Sequence, residues 1–204
     1  MSVMLKLLLA TLNKGKQTEM RALLRGLDVA LVTPDQLGLD LEVAEDGETY
    51  AENAARKALA FARTARLLTL ADDSGLEVDA LDGLPGLHSH RFAPDPEASD
   101  ADRRRLLLQR LAGFPRPWTA HFHCTVALAG ADGSLHCAEG DCPGEIIPQE
   151  RGHNGFGYDP IFLLPELGKT MAELSMAEKN RLSHRARAVM AAVPIIKELI
   201  KYMI

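Results

Sequence analysis

Apolar positions divide the chain into short solid runs and longer stretches of helical period. Leu5 to Ala10 is a run that reads as a buried first strand. From about Lys16, Met20, Leu23, Leu24 and Leu27 recur on one face, which predicts a helix. Thr49-Tyr50-Ala51-Glu52 has capping-box spacing, and the Ala-rich segment to Arg66 behind it predicts a second, longer helix. Leu68 to Ala71 reads as a short buried strand, with Asp72-Asp73-Ser74-Gly75 expected at its end. Ser99-Asp100-Ala101-Asp102 opens a helix carrying Leu106, Leu107 and Leu111. Phe122 to Ala129 is a strand, and the Asp132-Gly133 turn leads to a partner strand at Leu135 to Ala138. Ala186 to Ile204 is mostly helical, with a break or kink expected near Pro194.

Strands mixed with helices predict an α/β fold. With no repeat, low-complexity tract or long linker, residues 1–204 read as one domain, large enough for two lobes. The apolar start Val3 to Ala10 is broken by Lys6, and no small-residue cleavage site precedes Asn13-Lys14-Gly15-Lys16, so a strand fits better than a signal peptide. No apolar run reaches membrane-spanning length, so no membrane partner is expected.

Charge narrows the choice of partner. The formal net charge is −5, which does not suit non-specific nucleic-acid binding through phosphate neutralisation. It suits a small anionic ligand if positive charge is gathered locally and a metal is present. Cys124, Cys137 and Cys142 have no metal-ligand spacing and are odd in number, which reads as reduced thiols in a cytoplasmic protein.

Four segments carry candidate chemistry. Thr11-Leu12-Asn13-Lys14-Gly15-Lys16 lies between the first strand and helix, where backbone N–H groups and Lys16 can hold phosphate. It lacks the P-loop's second glycine and Lys-Ser/Thr ending, and a plain strand-to-helix turn is the alternative. Asp72-Asp73 is the second: adjacent carboxylates repel, and a hard cation such as Mg²⁺ offsets that. Glu45 and Asp46 are further ligand candidates; for Asp72-Asp73-Ser74-Gly75 a solvated turn is the alternative.

In Gly152-His153-Asn154-Gly155-Phe156-Gly157-Tyr158-Asp159-Pro160, three glycines frame two aromatics, one of which can stack on a purine. An aromatic packed beneath an ordinary loop is the commoner outcome. In Glu178 to Arg185, Lys179 and Arg185 fall on different faces of one continuous helix. Either only one points into a site, or the helix restarts with Ser183 as its cap. Arg103-Arg104-Arg105 reads as a solvated cationic face.

In this order the segments resemble the inosine triphosphate pyrophosphatase, or Ham1-like, family. The resemblance runs through Ala10 to Lys16, Glu52-Asn53-Ala54 with Lys57-Ala58, Ala71 to Leu81 and Leu84-Pro85-Gly86. It continues in Gly155 to Phe162, Glu178-Lys179-Asn180 and Ser183-His184-Arg185, and so covers nearly the whole chain. The family usually has Gly where this chain has Leu12, which implies a less free backbone in the phosphate loop.

The resemblance implies two α/β lobes around a long mixed β-sheet with flanking helices and a central substrate cleft, usually in a homodimer. It implies hydrolysis of ITP, dITP and XTP between the α- and β-phosphates, giving a monophosphate and pyrophosphate. Thr11 to Lys16 would hold the triphosphate. Glu45 and Asp73 would hold Mg²⁺, with Mn²⁺ as a substitute, and Asp73 would accept the proton of the attacking water. Ser74 would line the site. Phe156, Gly157, Tyr158, Asp159, Lys179, Ser183, His184 and Arg185 would surround the base and sugar-phosphate, with Arg185 donating to the 6-oxo group. The alternatives are a pyrophosphatase for another modified nucleotide and a non-catalytic nucleotide-binding module.

Overall fold

Leu7, Leu8 and Leu9 are completely buried, as a solid apolar run at the centre of a sheet requires. They form β1 (Lys6–Leu9), which pairs in parallel with β2 (Ala30–Val32) on one side and β3 (Leu68–Val78) on the other. The computed structural model describes residues 4–203, so Val3 and Ile204 lie outside the described residues. Among the described residues the strands form a seven-stranded sheet in the order β2-β1-β3-β4-β5-β6-β7. Here β4 is Trp118–Ala129, β5 is Leu135–Ile146, β6 is Phe162–Leu164 and β7 is Lys169–Thr170. The β5–β6 and β6–β7 pairs are antiparallel, so the sheet is mixed.

Among the described residues five α-helices flank it: α1 (Lys14–Leu23), α2 (Tyr50–Ala65), α3 (Asp100–Leu111), α4 (Met176–Leu182) and α5 (His184–Met203). Ser99 and Asp102 close a full capping box on α3. On α2 only half of the expected box forms, because Glu52 reaches the Glu48 N–H while Thr49 caps Glu52. The chain divides into two compact units, each assembled from separate segments. The first holds the described residues up to Asp73, Cys124–Gly140 and Arg185 onwards; the second holds Ser74–His123 and Asp141–His184.

The first unit has two apolar clusters. Leu7, Leu9, Met20, Leu24, Leu70, Val126 and Ile196 fill one, and Leu8, Ala54, Ala58, Phe61 and Ala62 fill the other. Full burial of each such Leu or Phe side chain contributes about 1.5–3 kcal/mol. The small alanines of α2 let that helix lie close on the sheet while leaving room for polar side chains at its start. The second unit packs Leu107 and Leu111 of α3 against Phe122, Trp118, Phe162 and Tyr158.

Three expectations change. The strand expected to stop at Ala71 continues to Val78, so Asp72-Asp73-Ser74-Gly75 lies in extended β3 and forms no turn. Cations and an amide meet its carboxylates, and that tertiary pairing overrides the turn preference of Asp, Ser and Gly. α5 runs unbroken through Pro194. Proline leaves the Met190 carbonyl without its helical donor, but Met190 is on the exposed side, where solvent serves that acceptor. Finally, β4 and β5 each extend beyond the expected hairpin, to 12 residues apiece.

Candidate active site

The phosphate-loop candidates form the N-terminus of α1. Asn13 is the helix cap: its side-chain oxygen accepts the Lys16 N–H at 3.0 Å. The Thr11 hydroxyl oxygen accepts the Asn13 N–H, and Gln17 donates to the Thr11 carbonyl. Thr11 and Asn13 therefore shape the loop through their side chains before any ligand is considered. Gly15 and Lys16 follow in the first helical turn, where the N–H groups point outward along the helix axis. Leu12 is 62% exposed and is not among the residues with positive φ, so a non-glycine residue is accommodated there without strain. Lys14 is exposed and pairs with Asp35 at 3.0 Å. Lys16 turns inward and pairs with Asp72 at the same distance.

Asp72 and Asp73 are neighbours on β3, so their side chains leave opposite faces of the strand. This reduces the mutual repulsion expected from adjacency. Asp72 is fully buried and takes Lys16 together with Arg185, whose Nε and Nη2 donate at 3.1 Å. Burial alone would raise the Asp72 pKa; Lys16, Arg185 and Lys57 overcome it and hold the carboxyl well below the usual range. Its Oδ1 remains buried with no hydrogen-bond partner. The Arg185 Nη1 donates to Glu19 of α1 at 2.5 Å, and Glu19 is itself only 3% exposed.

Asp73 behaves in the opposite way. Burial raises its pKa and nearby Glu45 adds to the rise, against the Asn53 amide, Lys16 and Lys57, so the net shift is upward. The Asn53 Nδ2 donates to Asp73 at 2.9 Å, while the Asn53 oxygen accepts the Gly47 N–H at 2.8 Å. Asn53 thus ties the catalytic carboxylate candidate to the acidic loop that carries Glu45. A Cβ at residue 47 would lie 2.7 Å from that Asn53 oxygen, so this approach requires glycine. Lys57, one turn further along α2, pairs with Glu45. Burial opposes its charge, but Asp72, Glu45 and Asp73 outweigh that and raise its pKa.

The result is a cluster of three cations (Lys16, Lys57, Arg185) and four carboxylates (Glu19, Glu45, Asp72, Asp73) in the first unit. Cys124 is buried beside it, and its thiol is pushed up to about 12, first by burial and then by Asp72. It adds no charge to the cluster. All three cysteines are free.

The second unit holds the other candidates. Gly152, Gly155 and Gly157 all have positive φ. At Gly155 a Cβ would sit 2.0 Å from the Asp159 Oδ2, so only glycine lets the loop fold over that carboxylate. Asp159 is buried, accepts the Phe156 N–H at 2.9 Å and pairs with Lys179. The Lys179 ammonium lies 5.0 Å from the centroid of the half-buried Phe156 ring. His184 stacks on Phe122, with centroids 4.7 Å apart and planes 18° apart. Ser74 is half-buried in β3.

The structure gives Tyr158, Arg185 and the arginine triplet distinct surroundings, and corrects the reading of the triplet. Tyr158, expected near the base, is 5% exposed in the apolar core and donates its hydroxyl to the Ser89 carbonyl at 2.9 Å. Arg185, expected as a donor to the base, is 2% exposed and pairs with Asp72 and Glu19, so any donation to a ligand runs from within the ion cluster. The arginine triplet is a solvated face only at Arg105; Arg103 is buried against Asp100, and Arg104 grips the glycine loop. Of the two alternatives at the C-terminal motif, the structure has the restart: α4 ends at Leu182, Ser183 is extended, and α5 begins at His184.

Sequence reading also left Glu19, Asn53 and Lys57 out of the site. Asn53 and Lys57 lie one turn apart on one face of an otherwise Ala-rich helix, a signal readable from spacing alone. Glu19 gave no such signal, because its partner Arg185 is 166 residues away.

Comparison with known proteins decides the family. The Ham1 family model matches residues 7–195. The chain belongs to the Ham1 family. It is 47% identical over 196 residues to the dITP/XTP pyrophosphatase of Desulforamulus reducens, covering 96% of this chain and 97% of that one. It is 46% identical to the dITP/XTP pyrophosphatase of Geobacter sulfurreducens, covering 91% and 94% of the two chains. Among solved structures, a HAM1 protein from Coxiella burnetii matches with a TM-score of 0.86 at 39% identity, over 96% of this chain and 100% of that one. The Staphylococcus aureus Ham1 protein matches with a TM-score of 0.83 at 36% identity, over 95% and 98%. Within this family, the mixed α/β fold and flanking helices are as the resemblance implied. No described helix is long and apolar enough to cross a membrane.

Proposed function

We propose that this protein hydrolyses non-standard purine nucleoside triphosphates (dITP, XTP and ITP) to the monophosphate and pyrophosphate. The observation that carries the reading is Asp73: a buried carboxylate with a raised pKa, oriented by Asn53, in the same cluster as Lys16. A general base works best when its pKa lies near the operating pH, and the upward shift moves Asp73 in that direction. The name dITP/XTP pyrophosphatase carried by the curated relatives supports the substrate class and the bond cleaved.

Each residue then has a role. The N–H groups at the start of α1 and the Lys16 ammonium hold the triphosphate, whose charge draws Lys16 partly away from Asp72. Asp73 accepts a proton from the water that attacks the α-phosphorus, and the α–β anhydride breaks with pyrophosphate leaving. Phe156 stacks on the base, and Lys179 with Asp159 supports the loop that carries it.

Glu45 and Asp73 would hold Mg²⁺. Glu45 adds to the rise in the Asp73 pKa, and a divalent cation relieves that repulsion. Among the described residues no group of three or more His, Cys, Asp or Glu side chains forms a metal cage. Two carboxylates, Glu45 and Asp73, are a donor set that suits Mg²⁺, which keeps waters and takes substrate phosphates as ligands. When bound, the cation supplies charge neutralisation on the phosphates. We further infer a cytoplasmic homodimer acting on the nucleotide pool, supported by the three free cysteines and by the family resemblance.

The test is product analysis. With dITP or XTP and Mg²⁺, the expected products are monophosphate and pyrophosphate in equal amounts. Diphosphate and orthophosphate as primary products would overturn the assigned bond, and no turnover of any nucleotide in a panel would leave a binding module as the better reading.

A further inference from the structure

The glycine loop of the second unit is held by a helix that no part of the proposed reaction uses. At Phe156 and Gly157, all four backbone polar groups are paired. The Phe156 N–H donates to the Asp159 carboxylate and the Phe156 carbonyl accepts the Asp159 N–H at 3.2 Å. The Gly157 N–H donates to Asp100 Oδ2 at 2.7 Å, and the Gly157 carbonyl accepts from Arg104 Nη1 at 2.8 Å. Asp100 and Arg104 are one turn apart on α3, so a single helix face takes both sides of one residue.

Both gripping side chains are themselves fixed. The Arg104 Nε and Nη2 form a two-pronged pair with the Glu150 carboxylate at 2.8 and 2.9 Å, which holds Glu150 below the usual carboxylate range. Asp100 is bonded by Arg103, whose other nitrogen reaches the Ala98 carbonyl at 2.6 Å. Burial would raise the Asp100 pKa, but Arg103 and the Gly157 N–H outweigh it, so Asp100 stays an ionised acceptor. Arg104 is only 12% exposed although it sits between two other arginines in sequence. Gly157 has φ of +61° and open space where a Cβ would be, so the loop depends on outside bonds at this point, having no side chain to pack.

We propose that Asp100 and Arg104 are positioning residues for nucleotide binding: by clamping Gly157 they set the position of the neighbouring Phe156 ring. The inference rests on the reading of Phe156 as the base-stacking residue. Without the clamp the loop samples several positions, and each encounter with substrate must first order it, so apparent affinity falls by the fraction of loop correctly placed. The chemistry, carried by Asp73 and Lys16 in the other unit, is left in place.

The experiment is a double-mutant cycle on the full-length protein, measuring pyrophosphate release from dITP. Phe156→Ala is expected to raise KM about 10-fold, in line with the loss of one base–aromatic stack. Arg104→Ala is expected to raise KM about 5-fold, with kcat changed less than about 2-fold. In the Phe156→Ala background, Arg104→Ala should add less than about 2-fold to KM, because its effect passes through the ring. A merely structural role for Arg104 would give the same KM increase in both backgrounds, and that outcome overturns the proposal. So does an unchanged KM in Arg104→Ala when Phe156→Ala has raised it. If Phe156→Ala itself leaves KM unchanged, the base-stacking reading fails and takes this inference with it. If Arg104→Ala does not fold, Asp100→Ala tests the same clamp from its other side, since the Ser99–Asp102 capping box still starts α3.

Discussion

The two units hold their candidate residues by opposite means. In the first unit, charged side chains sit on β3, α1, α2, α5 and the loop before α2 and are fixed by one another: Glu19 to Arg185, Arg185 and Lys16 to Asp72, Lys57 to Glu45. In the second unit, a glycine-rich loop is fixed through its backbone by its own Asp159 and by Asp100 and Arg104, which lie outside it. Transfer chemistry at phosphorus needs charge held in place as it develops, and regular elements supply that stiffness. A base platform needs shape, and glycine with φ above zero supplies shape at the cost of requiring outside support. The first arrangement fails when a charge loses its partner, and the second when a backbone group does.

The largest contrast concerns stability. Arg185→Ala leaves Asp72 and Glu19 buried without their shared cation, which should cost about 3–5 kcal/mol. Arg104→Ala in the second unit should cost less, because Glu150 is 46% exposed and the Gly157 carbonyl is neutral, so no charge is left buried without a cation. Urea unfolding of both variants measures this. Equal losses would mean that the ion cluster is no more demanding than a surface pair and that the comparison between units is wrong.

A second contrast lies inside the first unit, between adjacent carboxylates. Asp73→Asn should lower kcat by about 100-fold or more, as expected for loss of a general base. It should not destabilise the fold, because a carboxyl whose folded pKa is raised stabilises only below its unfolded pKa, and that contribution is lost as pH rises through the folded value. Asp72 has the reverse sign. Its pKa is depressed, so its contribution is present above the unfolded pKa and fades only as pH falls through the depressed folded value. Acidification should therefore protonate Asp73 first. Activity is expected to fall on acidification while the protein stays folded. Profiles of kcat/KM and of Tm against pH check this, and a common midpoint for both would remove Asp73 from the role of base.

Sequence reached unevenly into these two arrangements. Elements with a strong apolar period, such as β1 and the start of α1, were legible because burial alone determines them. β3 was not legible past Ala71, because Asp, Ser and Gly favour turns locally and only cations far away in sequence make a strand of them. The same holds for site residues. Asp73, Lys16 and Phe156 stand out by type and position, whereas Glu19 has meaning only beside Arg185, and Arg104 only beside Gly157. A residue that acts by holding another has no signature of its own in one sequence.

The smallest expected effect divides the glycine loop itself. Tyr158 and Phe156 are two residues apart, and the family resemblance implies that both surround the base. The structure turns Tyr158 into the core, with its hydroxyl donating to the buried Ser89 carbonyl, and burial pushes that phenol's pKa up. Ser89 in turn donates to the Gly86 carbonyl and accepts the Leu76 N–H, so the Tyr158 bond belongs to a packing network. Tyr158→Phe removes one neutral hydrogen bond, keeps the ring, and leaves the Ser89 carbonyl short of a donor. The expected cost is about 1 kcal/mol of stability, with kcat and KM for dITP within about 2-fold of the parent. Placed beside the roughly 10-fold KM increase expected for Phe156→Ala, this assigns the two aromatics to different jobs. If Tyr158→Phe raises KM as much as Phe156→Ala does, the loop presents both rings to the ligand, and the division between core-facing and base-facing residues must be redrawn.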